Sequence, residues 1–240
     1  MRLTVRAVSF DFHNTLATCD AWFEVEVRTL VSDLLRWHAR DSGRARSDVT
    51  LADAERRYRT LRREVLDGGV EQDAHACARR VLDDLDWPID EKLLALGVER
   101  IMRATLDGAA PLPGAVESVR ALSELGLPLA VVSSAVYHPF LEWTLARFGI
   151  LEAFEFVVTS ASCGFYKSRP EIYVHTLDAF GIAPCQLVHI GDSLEYDVTT
   201  AGKLGIRTVW LNAEDVADHP ADLRVESLHG LAPVLLECFG

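Results

Sequence analysis

The spacing of apolar positions changes character twice along the chain. Residues 5–10 (Val-Arg-Ala-Val-Ser-Phe) form a short apolar-rich run closed by the polar turn Asp11-Phe12-His13-Asn14-Thr15, which predicts a buried strand. The following roughly ninety residues carry helical spacing only. Phe23, Val27, Leu30, Leu34 and Trp37 recur at intervals of four and three, one stripe of an amphipathic helix. A polar loop over 40–50, with Gly43, precedes a second stripe of Ala54, Tyr58, Leu61 and Val65, which Gly68-Gly69 ends. Thr50 followed by Asp53 predicts the cap that starts this second helix. A third helix is expected over about 72–85, stopping before Trp87-Pro88. A fourth starts near Asp90 and carries Leu94, Val98, Ile101 and Thr105.

Beyond Pro111 short apolar runs alternate with helices. A helix over 114–125, stopped by Gly126, leads to the run 128–132. A helix with Leu141, Leu145 and Phe148 ends at Gly149. Then come a strand at 156–158, a helix over 170–180, the run 186–190, a helix over about 196–204 and a strand over 207–211. This alternation predicts an α/β fold of parallel β/α units with both sheet faces covered. The all-helical block parts the first strand from the others. The expectation is therefore an α/β core formed by 1–16 and 107–240, with a helical domain of 17–106 inserted after strand one.

Composition narrows the function classes. With 240 residues, 49% of them hydrophobic, the chain can bury a large core without disulfides or structural metal. Its formal net charge of −12 excludes a protein that binds nucleic acid through the phosphate backbone. A phosphorylated ligand would have to be held locally, by a cation or aimed N–H groups. No run approaches the roughly 18 apolar residues of a membrane span. The first residues lack a signal-peptide pattern and the five cysteines form no C-x-x-C pair, so reduced thiols and a cytoplasmic location are expected.

Ligands of open α/β sheets bind beyond the carboxyl ends of the strands. At those ends lie Asp11 to Thr15, then Ser133-Ser134, then Lys167-Ser168-Arg169-Pro170 after a loop, and Gly191-Asp192-Ser193 with Asp197 a turn later. Asp11 and Asp192 suit a shared hard divalent cation such as Mg²⁺. Asp11 can act as a carboxylate nucleophile towards a phosphoryl group. Lys167 offers the phosphoryl oxygens a compact charge, and it is one of only three lysines, with Lys92 and Lys203, beside 21 arginines. The Ser133 hydroxyl and N–H groups at helix starts would complete the cradle.

These four segments, in this order, resemble the four motifs of the haloacid dehalogenase-like hydrolase superfamily, most of whose members are Mg²⁺-dependent phosphatases. Asp11 with Thr15, Ser133, Lys167 with Pro170-Glu171-Ile172-Tyr173, and Gly191-Asp192-Ser193 with Asp197 carry the match. Leu112-Pro113-Gly114 and the stretch from Ala201-Gly202 to Asn212 extend it over nearly the whole chain. The resemblance implies a Rossmann-like, parallel five-stranded core with a helical cap. It implies Asp11 as nucleophile, and Ser133, Ser134 and Lys167 as phosphate ligands. It implies Mg²⁺ held by Asp11, the backbone carbonyl of His13 and Asp192, with Asp197 behind them or reaching the metal through water. It also implies a small phosphorylated metabolite as substrate.

One position departs from the family. Its phosphatases carry an Asp general acid/base two residues after the nucleophile, where this chain has His13. Either the imidazole takes over the proton transfers, or His13 supplies only its carbonyl. Dehalogenases of the superfamily also lack that Asp and need no metal, so carbon–halogen hydrolysis by Asp11 is the alternative, and a degenerate binding or regulatory member is a third reading. The retained Asp192 and Asp197 favour the phosphatase. The arginines at 56, 57, 59, 62 and 63 predict a solvated, ion-paired helix face rather than an anion site. His189, inside a strand, is expected in the core or on the sheet face.

Overall fold

The computed structural model describes residues 5–42, 48–214 and 216–240. Six strands, β1 (Ala7–Phe10), β4 (Leu129–Ser133), β5 (Phe156–Thr159), β6 (Leu187–Gly191), β7 (Arg207–Leu211) and β8 (Leu223–Val225), form one parallel sheet in the order β5-β4-β1-β6-β7-β8. β1 is central, pairing Phe10 with Val131 on one side and with Ile190 on the other. The chain builds the sheet outward from β1 in one direction through β4 and β5, then in the other through β6, β7 and β8. A switch of this kind opens a crevice at the carboxyl ends of the central strands. The five expected strands are all present. The sixth, β8, is three residues long and includes Arg224, too short to show a period.

Side chains alternate between two apolar layers, as strands buried on both faces require. Val8 and Phe10 pack with Val131, Val188, Ile190 and Val209 on one side. Ala7 packs with Val132, Leu187, Ile172 and Tyr173 on the other. Around the sheet lie α6 (Ala115–Glu124), α7 (His138–Arg147), α8 (Ser160–Cys163), α9 (Glu171–Phe180) and α11 (Leu231–Phe239). After β6 a π-helical segment, Leu194–Thr200, runs into α10 (Ala201–Lys203).

Between β2 (Ala17–Thr18) and β3 (Ala110–Pro111), which pair antiparallel, the described chain is helical: α1 (Asp20–Glu24), a π-helical turn Val25–Thr29, α2 (Leu30–Ser42), α3 (Asp48–Gly68), α4 (Ala74–Asp84) and α5 (Glu91–Ala104). α4 and α5 start as expected, with Asp73 and Asp90 accepting N–H bonds at their N-termini.

Two expectations are corrected. The stripe beginning at Phe23 slips, because the π-turn inserts an extra residue per turn and rotates the phase. Trp22, Val25 and Glu26 face inward instead, while Phe23 stays 44% exposed. Thr50 lies inside α3 rather than at its cap, and Asp53 accepts from Arg56 and, at 3.1 Å, from Arg57. The loop expected over 40–50 is narrower, since α2 reaches Ser42 and α3 begins at Asp48; Gly43 and the rest of 43–47 lie outside the described residues.

The helical block docks over the crevice. Trp22 stacks on Phe140 with ring centroids 4.9 Å apart, and meets the edge of Phe12 at 6.0 Å. Truncating a buried tryptophan to Ala costs about 3–5 kcal/mol, so this side chain is a principal tie between α1 and the strand end that carries Asp11. Backbone bonds join the α3–α4 connection to the core: Tyr166 N–H to Gly69 O (3.0 Å), Glu71 N–H to Gly164 O (2.9 Å) and Ala74 N–H to Val136 O (2.8 Å).

Candidate active site

β1 delivers Asp11 to the crevice floor, with Asp11 N–H bonded to Ile190 O at 2.8 Å. The turn that follows is set by Asn14, whose φ of 60° is the left-handed conformation that Asn tolerates better than most residues. The Asn14 side chain lies beside Asp192 and favours its charged form, so the turn after β1 faces the turn after β6. Thr15 is fully buried.

β6 ends in Gly191, and a Cβ there would lie 2.2 Å from Asp197 Cγ, so only glycine admits the aspartate at that spot. Ser193 starts the next helical segment by accepting Tyr196 N–H at 3.2 Å, which swings Asp197 back over the strand end. Asp197 Oδ2 then accepts Ser193 N–H at 3.0 Å, and Oδ1 accepts from Lys167 Nζ at 2.6 Å and His189 Nε2 at 3.1 Å. Lys167 also bonds Asp11. Its backbone N–H donates to Ser134 Oγ at 3.0 Å, which pins the lysine loop against the end of β4. Ser133, the last residue of β4, is buried at the same rim.

Electrostatics follow from this burial. Burial pushes the Asp11 carboxyl up to about 6 against the pull of Lys167, with Asp197 and Asp192 adding to the rise. Burial also raises Asp192, and Asp197 adds to it. Asp197 goes the other way: Lys167 and His189 outweigh its own burial and hold it well below the carboxylate norm. Burial works against the Lys167 charge, but Asp11 and Asp197 more than compensate and keep it protonated.

Asp11, Asp192 and Asp197 each offer an oxygen, all within 4.8 Å of one another. Three carboxylates face one ammonium here, leaving a formal deficit that a single divalent cation would match. The all-oxygen donor set fits Mg²⁺. Protein donors take up both Asp197 oxygens (Lys167 and His189 on Oδ1, the Ser193 N–H on Oδ2), and Lys167 also engages Asp11, so Asp192 is the carboxylate of the three least taken up by protein donors.

His13 sits beside this group and is partly buried. Burial lowers its pKa, with Asp11 and Asp20 opposing. Its Nε2 has no hydrogen-bond partner, the nearest carboxylate oxygen being Asp20 Oδ1 at 3.7 Å.

The structure thus brings together Asp11, His13, Lys167, Asp192 and Asp197, with Ser133 and Ser134 on the same rim. It adds Asn14, His189 and Ser9, whose Oγ lies 2.8 Å from His189 Nδ1. Asn14 had a signal in its turn propensity. His189 and Ser9 had none, since a polar residue in an apolar strand does not announce its partner. One helix-face expectation is corrected. Arg62 is buried and forms a bidentate pair with Glu71 at 2.5 and 3.2 Å, while Glu71 accepts from Ser160 Oγ at 2.7 Å across to the core.

An α/β fold with these four strand-end motifs defines a class of hydrolase. The profile described as haloacid dehalogenase-like hydrolase matches residues 5–205, and the chain belongs to that family. The glyceraldehyde 3-phosphate phosphatase of Methanocaldococcus jannaschii is 24% identical over 242 aligned residues, covering 96% of this chain and 97% of that protein. Among solved structures, the 2-haloacid dehalogenase of Pseudomonas syringae pv. Tomato DC3000 superposes with a TM-score of 0.72 at 20% identity, over 98% of this chain and 99% of that one. The HAD phosphatase of Thermococcus onnurineus superposes with a TM-score of 0.65 at 23% identity, over 96% and 98%. Phosphatase and dehalogenase share this fold, so the choice of chemistry rests on the site. Among the described residues no helix is long and apolar enough to cross a membrane.

Proposed function

We propose that the protein is a Mg²⁺-dependent phosphatase of a small phosphorylated metabolite, working in the cytoplasm through an aspartyl-phosphate on Asp11. Residues 1–16 and 107–240 serve as the catalytic core and 17–106 as its cap. The observation that carries this reading is the gathering of Asp11, Asp192 and Asp197 oxygens within 4.8 Å of one another, with Lys167 paired to Asp11 and Asp197. A metal-free carbon–halogen hydrolase has no use for that surplus of negative charge.

Asp11 attacks phosphorus, the new O–P bond forming as the bond to the alcohol oxygen breaks. Lys167 and the hydroxyls and N–H groups at Ser133 and Ser134 hold the phosphoryl oxygens. His13 gives the departing oxygen its proton. Water then attacks the phosphorus of the acyl phosphate, giving up a proton to His13, and releases phosphate and free Asp11. Asp11, Asp192 and the His13 carbonyl would hold Mg²⁺, which when bound would supply charge neutralisation to the dianionic substrate.

The test is a panel of phosphorylated metabolites, with glyceraldehyde 3-phosphate included because relatives are named for it, assayed with Mg²⁺ and with EDTA. Short 2-haloacids without metal run beside it. Phosphate release that EDTA abolishes is the expected result. Halide release undiminished by EDTA, with no ester cleaved, would overturn it.

A further inference from the structure

Phe23 ought to be buried by the spacing of its neighbours, yet the π-turn leaves it 44% exposed. Its ring nevertheless has a partner. It lies parallel to the His13 imidazole, 13° between planes and 4.7 Å between centroids. Trp22, the preceding residue, presents its edge to the same imidazole at 6.0 Å. Consecutive residues of a helix point about 100° apart, so α1 brackets the imidazole with two aromatic side chains. Trp22 is itself fixed in the core against Phe140, which makes the bracket rigid on one side.

Imidazoles that move protons are ordinarily aimed by a hydrogen bond to one ring nitrogen. Among the described residues His13 has no such bond at Nε2, which is buried with the Asp20 carboxylate 3.7 Å away, beyond hydrogen-bond distance. A buried polar atom left unpaired costs about 1–3 kcal/mol, and such atoms persist where a transient partner uses them. Stacking on Phe23 therefore sets the plane of this ring, with Asp20 beside Nε2 but too far away to hold it by a hydrogen bond. Packing alone is a weak explanation for the pair, because a side chain as exposed as Phe23 gains little from burial.

We propose that Phe23 is a positioning residue for His13, its ring holding the imidazole in the plane from which Nε2 meets the leaving-group oxygen of the substrate. This rests on the phosphatase reading above. Phe23 belongs to the first helix of the inserted block and His13 to the core, so the imidazole is aligned when the block is docked. The proton-transfer group is completed by both parts of the chain.

The experiment uses the full chain with Mg²⁺ and two substrates, an alkyl phosphate (glycerol 3-phosphate), whose leaving oxygen needs a proton, and an aryl phosphate (4-nitrophenyl phosphate), whose leaving group does not. Complete general acid catalysis is worth roughly 10²–10⁴-fold, and misalignment forfeits part of it. Phe23→Ala should lower kcat on the alkyl ester by roughly tenfold or more with KM little changed, and by less than about threefold on the aryl ester. Phe23→Tyr, which keeps the stacking ring, should restore the alkyl rate. In a His13→Ala background, Phe23→Ala should have no further effect. Equal losses on both esters, an additive loss in the His13→Ala background, or an alkyl rate unchanged by Phe23→Ala would each overturn the positioning role. The His13 Cε1–H proton resonance gives a readout apart from turnover: Phe23→Leu should shift it downfield by removing the ring current, and an unmoved resonance would overturn the stack. A wild type inactive on both esters, with the resonance shifting as expected, would strike the phosphatase reading and leave the aromatic bracket standing.

Discussion

Ser9 Oγ lies 2.8 Å from Nδ1 of His189, directly across the β1–β6 pairing, and Nε2 of the same ring lies 3.1 Å from Asp197 Oδ1. The carboxylate can only accept, so Nε2 carries the proton and Nδ1 accepts from the serine hydroxyl. Burial lowers the His189 pKa, consistent with a neutral ring. A buried chain thus runs from Ser9 through His189 and Asp197 to Lys167 and Asp11, and each member is oriented by the one before it. His189→Phe keeps the ring and removes both bonds. It should cost about 1–3 kcal/mol of stability, because the serine hydroxyl loses its acceptor and Asp197 a donor. It should also lower kcat on a phosphate ester, since Asp197 no longer holds Lys167 in one place. Urea unfolding with steady-state kinetics checks both; unchanged values in both would refute the chain's importance.

Asp11→Asn preserves shape and removes the nucleophilic charge. Turnover should fall by several orders of magnitude with the far-ultraviolet circular dichroism unchanged. Asp192→Ala should raise the Mg²⁺ concentration needed for half-maximal activity steeply, or abolish activity. The same carboxylate predicts a pH effect on the metal-free protein. The Asp11 pKa rises on folding from 3.8 to about 6, so the folded state keeps a proton that the unfolded chain releases. The Asp11 contribution to stability should therefore fall as pH rises from about 4 to about 6 and level off above. Asp11→Asn should remove that part of the slope and leave the part due to Glu26, as denaturant melts of EDTA-treated protein would show.

Lys167, after a loop, and Asp197, a turn further on, were legible only through the order of the four motifs, whereas Asp11, Ser133 and Asp192 were legible in the sequence because a polar residue at the end of an apolar run has one place to go in a parallel sheet. The five longer strands were legible for the same reason. β8 was not, because three residues cannot display a period. The inward turn of Trp22, Val25 and Glu26 was hidden by the π-turn, which no local composition signals here. Arg62 looked like a surface charge, and nothing in the sequence marked Glu71 as its partner. Their burial depends on Ser160 and on the docking of the α3–α4 connection, both distant in sequence.

Gly191→Ala tests the close approach at the end of β6. The added methyl would stand 2.2 Å from Asp197 Cγ and 2.3 Å from its Oδ2, so the aspartate must leave its place over the strand. Unlike a surface glycine substitution, this one should reduce turnover at least as much as His189→Phe, because it displaces Asp197 itself. A variant that retains wild-type kcat and metal dependence would show that the Asp197 position is dispensable.

The last prediction concerns Glu26, which the π-turn carries into the contact between helical block and core. It is 3% exposed, the nearby Val136 backbone favours its charged form, and its Oε2 has no hydrogen-bond partner among the described residues. Arg62 is near but is already bound at both ends of the Glu71 carboxylate. An ionised Glu26 would therefore be a second negative charge beside one compensated pair, out of water. Burial, opposed by Arg62 and reinforced by Glu71, pushes the Glu26 carboxyl from 4.5 up to about 8. Because the folded-state pKa is the higher one, the folded protein holds a proton that the unfolded chain gives up, and stability falls as pH rises from about 4.5 to about 8. That span limits the effect to roughly 5 kcal/mol, with solvent relaxation reducing it. Glu26→Gln imitates the protonated acid, keeping an oxygen for Val136 and a donor where the acid has its hydroxyl. The variant should match the wild type near pH 5 and exceed it in stability by a margin that widens up to pH 9. Urea midpoints of the two proteins at pH 5, 7 and 9 measure that margin directly, and subtracting one from the other cancels the contributions of Asp11 and the other carboxylates. A margin that stays constant with pH would mean that Glu26 is ionised in the folded protein and that Arg62 is shared between Glu26 and Glu71.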